Sequence, residues 1–138
     1  MEINGIAHIF LTVSDFRKCH PFYEKLLTFL GLQPIINTEG MLYFVGGRTA
    51  VGIQQGEERG GRFVQSRVGL HHVSFRARER GDVDAVYGLL KEIGATIVHP
   101  PEDGPWAPGY YSVLFEDPEG IRLEVNYVPG RGLLTEQK

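Results

Sequence analysis

Two stretches of the chain nearly repeat one another: Ile6-Ala7-His8-Ile9-Phe10-Leu11-Thr12-Val13 and Leu70-His71-His72-Val73-Ser74-Phe75-Arg76-Ala77. Each is strand-like, carries a histidine and runs into a helix-like segment with a Phe-Tyr or Val-Tyr pair, the tyrosines Tyr23 and Tyr87 lying fifteen positions past His8 and His72. This is the pattern of an internal duplication, in which two copies of one supersecondary unit put equivalent residues in equivalent places. A symmetric pair of strand imidazoles facing a shared cleft is most simply explained by a metal ion.

In the first copy, Ala7, Ile9, Leu11 and Val13 alternate with His8, Phe10 and Thr12, which predicts a strand at about 5–13 with one apolar face and one carrying the histidine. Ser14 or Asp15 offers an N-cap. Phe16, Cys19, Phe22, Tyr23, Leu26, Leu27 and Leu30 then recur at helical spacing up to Gly31, predicting an amphipathic helix over 15–30. Short strands are expected at about 33–37, 41–46 and 49–55, separated by turns at Glu39-Gly40 and Gly46-Gly47. The stretch 56–69, with glycines among Glu57, Glu58, Arg59 and Arg62, has no periodic apolar face and reads as an exposed linker. The second copy repeats the order: a strand at 70–77, a helix at about 82–93 capped by Asp82 and ended by Gly94, and strands at about 95–99, 110–116 and 121–128. Residues 100–109 are too rich in Pro and Gly for a regular element, and the last ten residues from Pro129 read as a loose tail. The class is therefore α+β, two βαβββ modules at about 5–55 and 70–128 in a single domain.

At 138 residues, 42% hydrophobic and 22% charged, the chain can bury an adequate core. A net charge of −3 with scattered Lys and Arg gives no basic field for nucleic acid. No apolar run approaches bilayer length and the first residues lack a signal-peptide pattern, so a cytoplasmic protein with no membrane partner is expected. Cys19 is the only cysteine, which excludes an intrachain disulfide and a multi-cysteine zinc site; inside a helix it reads as a buried structural thiol.

The two βαβββ units, a strand histidine early in each, and the closing Glu116-Asp117-Pro118-Glu119-Gly120-Ile121-Arg122-Leu123-Glu124-Val125 resemble the vicinal oxygen chelate superfamily over about 5–128. That superfamily comprises glyoxalase I, bleomycin-resistance proteins, fosfomycin-resistance enzymes, extradiol dioxygenases and methylmalonyl-CoA epimerase. The resemblance implies an eight-stranded, half-closed cupped sheet with the helices outside. It also implies a metal site: His8, opening a His-x-x-Leu-x-Val run, and His72, opening His-x-x-Phe-x-Ala, match the two histidine ligands, and Glu124 matches the carboxylate on the last strand. Two imidazoles and a carboxylate leave open positions on Fe, Mn, Ni, Co or Zn, where a substrate binds through two adjacent oxygens. The parity agrees, since Ile121, Leu123 and Val125 are apolar while Arg122, Glu124 and Asn126 share the other face.

The family's fourth ligand position lies near the end of the first module's last strand. If Val51 and Ile53 face the helices, Gln54 takes the place analogous to Glu124, and a one-residue slip puts Ile53 or Gln55 there. A Gln at this position, and the longer gap between Phe22-Tyr23 and Gly31, both depart from glyoxalase I proper. Phe10, Arg122, Trp106 and Tyr111 are candidate substrate-cleft residues; the bland alternatives are rigid surface packing for Trp106 and Tyr111, and a helix-facing structural role for His71. His20 and His99 read as ordinary. The function expected is a divalent-metal-dependent enzyme of glyoxalase or dioxygenase type, with Glu124 as catalytic group, one divalent ion as cofactor, a small-molecule substrate and a homodimeric assembly. The alternative is a metal-free protein that sequesters a small antibiotic, of bleomycin-resistance type.

Overall fold

Each half of the chain builds a four-stranded sheet with the same connectivity. In the computed structural model, which describes residues 1–134, the first half contains β1 (His8–Val13), α1 (Phe16–Phe29), β2 (Gln33–Asn37), β3 (Met41–Gly46) and β4 (Thr49–Gln55). The second contains β5 (Val73–Arg76), α2 (Arg80–Glu92), β6 (Thr96–Asp103), β7 (Tyr111–Glu116) and β8 (Arg122–Tyr127), followed by one 3-10 turn at Gly132–Leu134. The sheet orders are β1-β4-β3-β2 and β5-β8-β7-β6. In both, the first strand pairs parallel with the last and the remaining pairs are antiparallel. The chain divides into two compact units, Met1–Arg62 and Phe63–Lys138.

The apolar stripe of each helix accounts for its unit's core. Phe16, Cys19, Phe22, Tyr23, Leu26 and Leu27 of α1 are buried along with Leu11, Val13, Leu42, Phe44 and Ile53 of the first sheet. Val83, Val86 and Leu90 of α2 are buried along with Val113, Phe115, Leu123 and Val125 of the second. Both helices end in the same way: Gly31 and Gly94 take positive φ, and the amides of Leu32 and Ala95 donate to the carbonyls of Leu27 and Leu90. Asp15 is the N-cap of α1, accepting from the Lys18 amide at 3.2 Å.

Several boundaries differ from the sequence expectation, among them the start of β1, which lies at His8 and not at about residue 5. Helix α2 begins at Arg80, so Asp82 lies in its first turn, where its carboxylate accepts from the Glu79 amide at 3.0 Å instead of standing ahead of the helix. Strand β6 continues through Pro100 and Pro101 to Asp103. It is an edge strand, and its register shifts between Ile97 and His99 and again between His99 and Glu102, which accommodates residues that cannot donate to a ladder. Strand β5 begins only at Val73, leaving His71 and His72 in the segment just before it. Of the expected tail, residues 135–138 lie outside the described residues. Among the described residues no helix is long and apolar enough to cross a membrane.

Candidate functional site

The Asp-Pro-Glu-Gly sequence aims the last strand. Asp117 Oδ1 accepts the amides of Glu119 at 2.7 Å and Ile121 at 2.8 Å, and Gly120 donates to the Asp117 carbonyl while its φ of 86° reverses the chain. Strand β8 therefore leaves the turn with Leu123 and Val125 buried, and Arg122, Glu124 and Asn126 on the opposite face.

Glu124 is 7% exposed and its two oxygens have different partners. The Tyr110 hydroxyl donates to Oε2 in a very short hydrogen bond, whereas Oε1 lies 3.1 Å from His72 Nε2. The other nitrogen of His72, Nδ1, is 2.7 Å from His71 Nδ1, and Gln65 Nε2 reaches His71 at 3.2 Å. Burial, then the hydrogen bond to Glu124 and its charge, push the Tyr110 phenol well above its ordinary value, so it remains a donor. The donor set suits a divalent ion: two ligands at right angles on bonds of ~2.1–2.2 Å lie about 3.0 Å apart. Nε2 and Oε1 have that spacing, and the outer atoms of both groups are already held, as metal ligands require. Among the described residues no group of three His, Cys, Asp or Glu side chains that could hold an ion is gathered. Unit two contributes a pair.

His71 is exposed and bonded to its neighbour, not packed under the helix. Strand alternation does not extend to residues ahead of Val73, so parity gave the wrong direction.

In unit one, His8 pairs with Ala50, Phe10 with Gly52 and Thr12 with Gln54. In unit two, Ser74 pairs with Glu124 and Arg76 with Asn126. With His8 equivalent to His72, the counterpart of Glu124 is Gly52, and Gln54 corresponds to Asn126. The expectation for Gln54 is corrected accordingly: apolar alternation fixes the face of a strand but not the position along it. Gly52 has no side chain to offer, and a Cβ there would fall within the Phe10 ring. That ring stacks on Tyr43 at 5.6 Å and meets His8 edge-on at 5.5 Å, forming an aromatic cluster where a fourth ligand would stand. The slip alternatives are occupied as well. Ile53 is core, and the Gln55 side chain accepts from the Phe16 amide at 2.9 Å and donates to the Ser14 carbonyl at 2.7 Å, tying down the start of α1.

Residues 5–125 match the family model for the Glyoxalase/Bleomycin resistance protein/Dioxygenase superfamily. The chain belongs to that superfamily. Within it, the chain is 31% identical over 126 residues to a metallothiol transferase, FosB, of Shouchella clausii, covering 90% of this chain and 80% of that protein. It is 29% identical to YqjT, an uncharacterised protein of Bacillus subtilis, over 86% of this chain and 94% of the other. A solved glyoxalase candidate from Bacillus halodurans superposes with a TM-score of 0.78 at 29% identity, covering 89% of this chain and 95% of that one. A lactoylglutathione lyase from Agrobacterium tumefaciens, at 20% identity and a TM-score of 0.66, shares the superfamily fold over 92% and 96% of the two chains.

The remaining expected residues of this superfamily member are placed unevenly. Tyr111 pairs with Tyr127 on the helix side of its sheet; its hydroxyl donates to Asp84 at 2.6 Å and Arg80 stacks over its ring at 3.7 Å. The bond to Asp84 raises its phenol above the ordinary value. The tyrosine at Glu124 is Tyr110, one residue earlier; it shares parity with Ser112 and Leu114, and Leu114 pairs with Glu124, which puts Tyr110 on the face of Glu124. Trp106 is 73% exposed in the loop after β6. Arg122 shares the face of Glu124 and pairs with Glu116 at 3.2 Å, leaving its buried Nε with no hydrogen-bond partner among the described residues.

Proposed function

We propose that this chain is a divalent-metal-dependent enzyme of the glyoxalase/dioxygenase type, acting on a small molecule with two adjacent oxygens, and that it is not glyoxalase I proper. The observation carrying this reading is the convergence of His72 Nε2 and Glu124 Oε1 at 3.1 Å, with the far side of each group already bonded. His8 is the third ligand, on the strength of its equivalence to His72 in the repeat. The bound ion supplies Lewis acidity to the substrate oxygens and stabilises negative charge that develops there. The protein's own part is to hold His72 and Glu124 in register and keep Tyr110 protonated beside the carboxylate. Glycine in place of a fourth ligand argues against glyoxalase I, and the metallothiol transferase relative brings thiol addition among the reactions to be tested. The reading includes a homodimer, since every residue of the edge strand β2 is exposed, Ile35 and Ile36 included. A monomeric mass by light scattering across micromolar concentrations would remove that part.

The second reading, a metal-free sequestering protein, is favoured by one observation: no three ligands are gathered among the described residues. Elemental analysis of protein purified with metal present separates the two. About one divalent ion per chain supports the enzyme, and none supports the binder. Turnover is then sought with the methylglyoxal–glutathione hemithioacetal, catechols, and fosfomycin with a thiol, each with several metals. Efficient isomerisation of the hemithioacetal would show that the departures from glyoxalase I carry no weight.

A further inference from the structure

We infer that Tyr110 is a positioning residue that makes Glu124 a one-oxygen ligand: its hydroxyl takes up Oε2 and leaves only Oε1, the oxygen beside His72, to an ion. The inference rests on the metal reading above. A carboxylate free to turn can close on a divalent ion through both oxygens, using two coordination positions; one whose second oxygen is committed to a donor uses one and leaves the other open for substrate.

The fold takes some trouble to place this phenol. Tyr110 stands at the end of the Pro/Gly loop, and the backbone closes that loop around it: its amide donates to the Ala107 carbonyl at 3.1 Å, and its carbonyl accepts from the Gly104 amide at 3.0 Å. Gly104 lacks a side chain where one is least welcome, since a Cβ there would come within 3.0 Å of Tyr110 Cδ1 and 3.3 Å of Trp106 Cδ1. Glu124 is buried and has no freedom to find another donor in bulk water.

The test uses the full chain loaded with Co(II), whose visible absorption weakens as coordination number rises. In wild type and Tyr110→Phe, affinity is measured by competition with a chelator and the spectrum is recorded at saturation. Loss of an outer-shell partner costs roughly 10–100-fold in affinity, and the freed Glu124 closes through both oxygens, so Tyr110→Phe is expected to bind more weakly with a fainter visible band. Unchanged affinity together with an unchanged band overturns the inference and leaves the metal reading standing. Wild-type protein that takes up no Co(II) overturns both. A purely structural role for Tyr110 changes melting temperature without changing the spectrum, and that result also overturns the inference. Should Tyr110→Phe fail to fold, Gly104→Ala decides by the same criteria, because it keeps the hydroxyl and displaces the ring.

Discussion

Nδ1 of His71 lies 2.7 Å from Nδ1 of His72, so the two rings hold one proton between them. With that proton on His71, His72 Nε2 carries its own hydrogen and donates to Glu124 Oε1; with it on His72, Nε2 becomes a bare lone pair fit for a metal. The contact thus supports either state: when the shared hydrogen passes to His72, the Nε2 hydrogen of His72 leaves to solvent and His71 takes one on its own Nε2. His71→Ala is expected to weaken metal binding by roughly tenfold or more, the usual loss for an outer-shell partner, measured by calorimetric titration with Mn(II) or Zn(II). Equal affinity in the variant would leave His71 without a part in the site.

Metal present at a hundred times its Kd stabilises a folded protein by ~2.7 kcal/mol. Wild-type protein should therefore melt several degrees higher with a suitable ion among Mn, Fe, Ni, Co and Zn, and His72→Ala should lose the rise. Acidification should erase it too, because an imidazole carrying two protons has no lone pair to give. A melting curve indifferent to all five ions favours the sequestering reading.

Asp117 is 3% exposed and its carboxylate accepts two amides across the turn. Asp117→Ala leaves both donors without their acceptor, a loss of about 1.5–3 kcal/mol for a charged hydrogen-bonding group. Denaturant unfolding should show a lowered midpoint, and metal affinity should fall with it because the turn sets the entry of β8. Stability within experimental error of wild type would mean the turn is held by something else.

Gly52→Ala puts a methyl into the Phe10 ring. Overpacking costs ~1–3 kcal/mol. The low end is expected, since Phe10 is 41% exposed and can swing away at the loss of its contact with Tyr43. In the double variant with Phe10→Ala the penalty of the added methyl should vanish, which a double-mutant cycle measures. Additive penalties would show that the two residues do not share the space.

Much of the architecture was legible because the two signals that carry it are periodic and local. The α1 stripe from Phe16 to Leu27 and the Gly31 and Gly94 stops fixed the helices to within about two residues. Alternation placed β2, β3 and β4 at the expected bounds and set Glu124 on the face opposite Leu123. What alternation cannot supply is position along a strand or its continuation past the strand's end. That is why alternation matches Gln54 to Glu124 when the ladder makes it the counterpart of Asn126, why it does not single out Tyr110 over Tyr111, and why it turns His71 inward. Strand β6 was cut short for a different reason: proline rules describe ladder interiors, and this strand is an edge with shifts in register.

Cys19 has no accessible surface. A thiol shut away in this manner stays silent toward disulfide reagents while the protein is folded. Consumption of an added thiol can therefore be followed colorimetrically in the native mixture with no background from the protein, and the same reagent, once it begins to register one sulfhydryl per chain, reports that the first unit has opened.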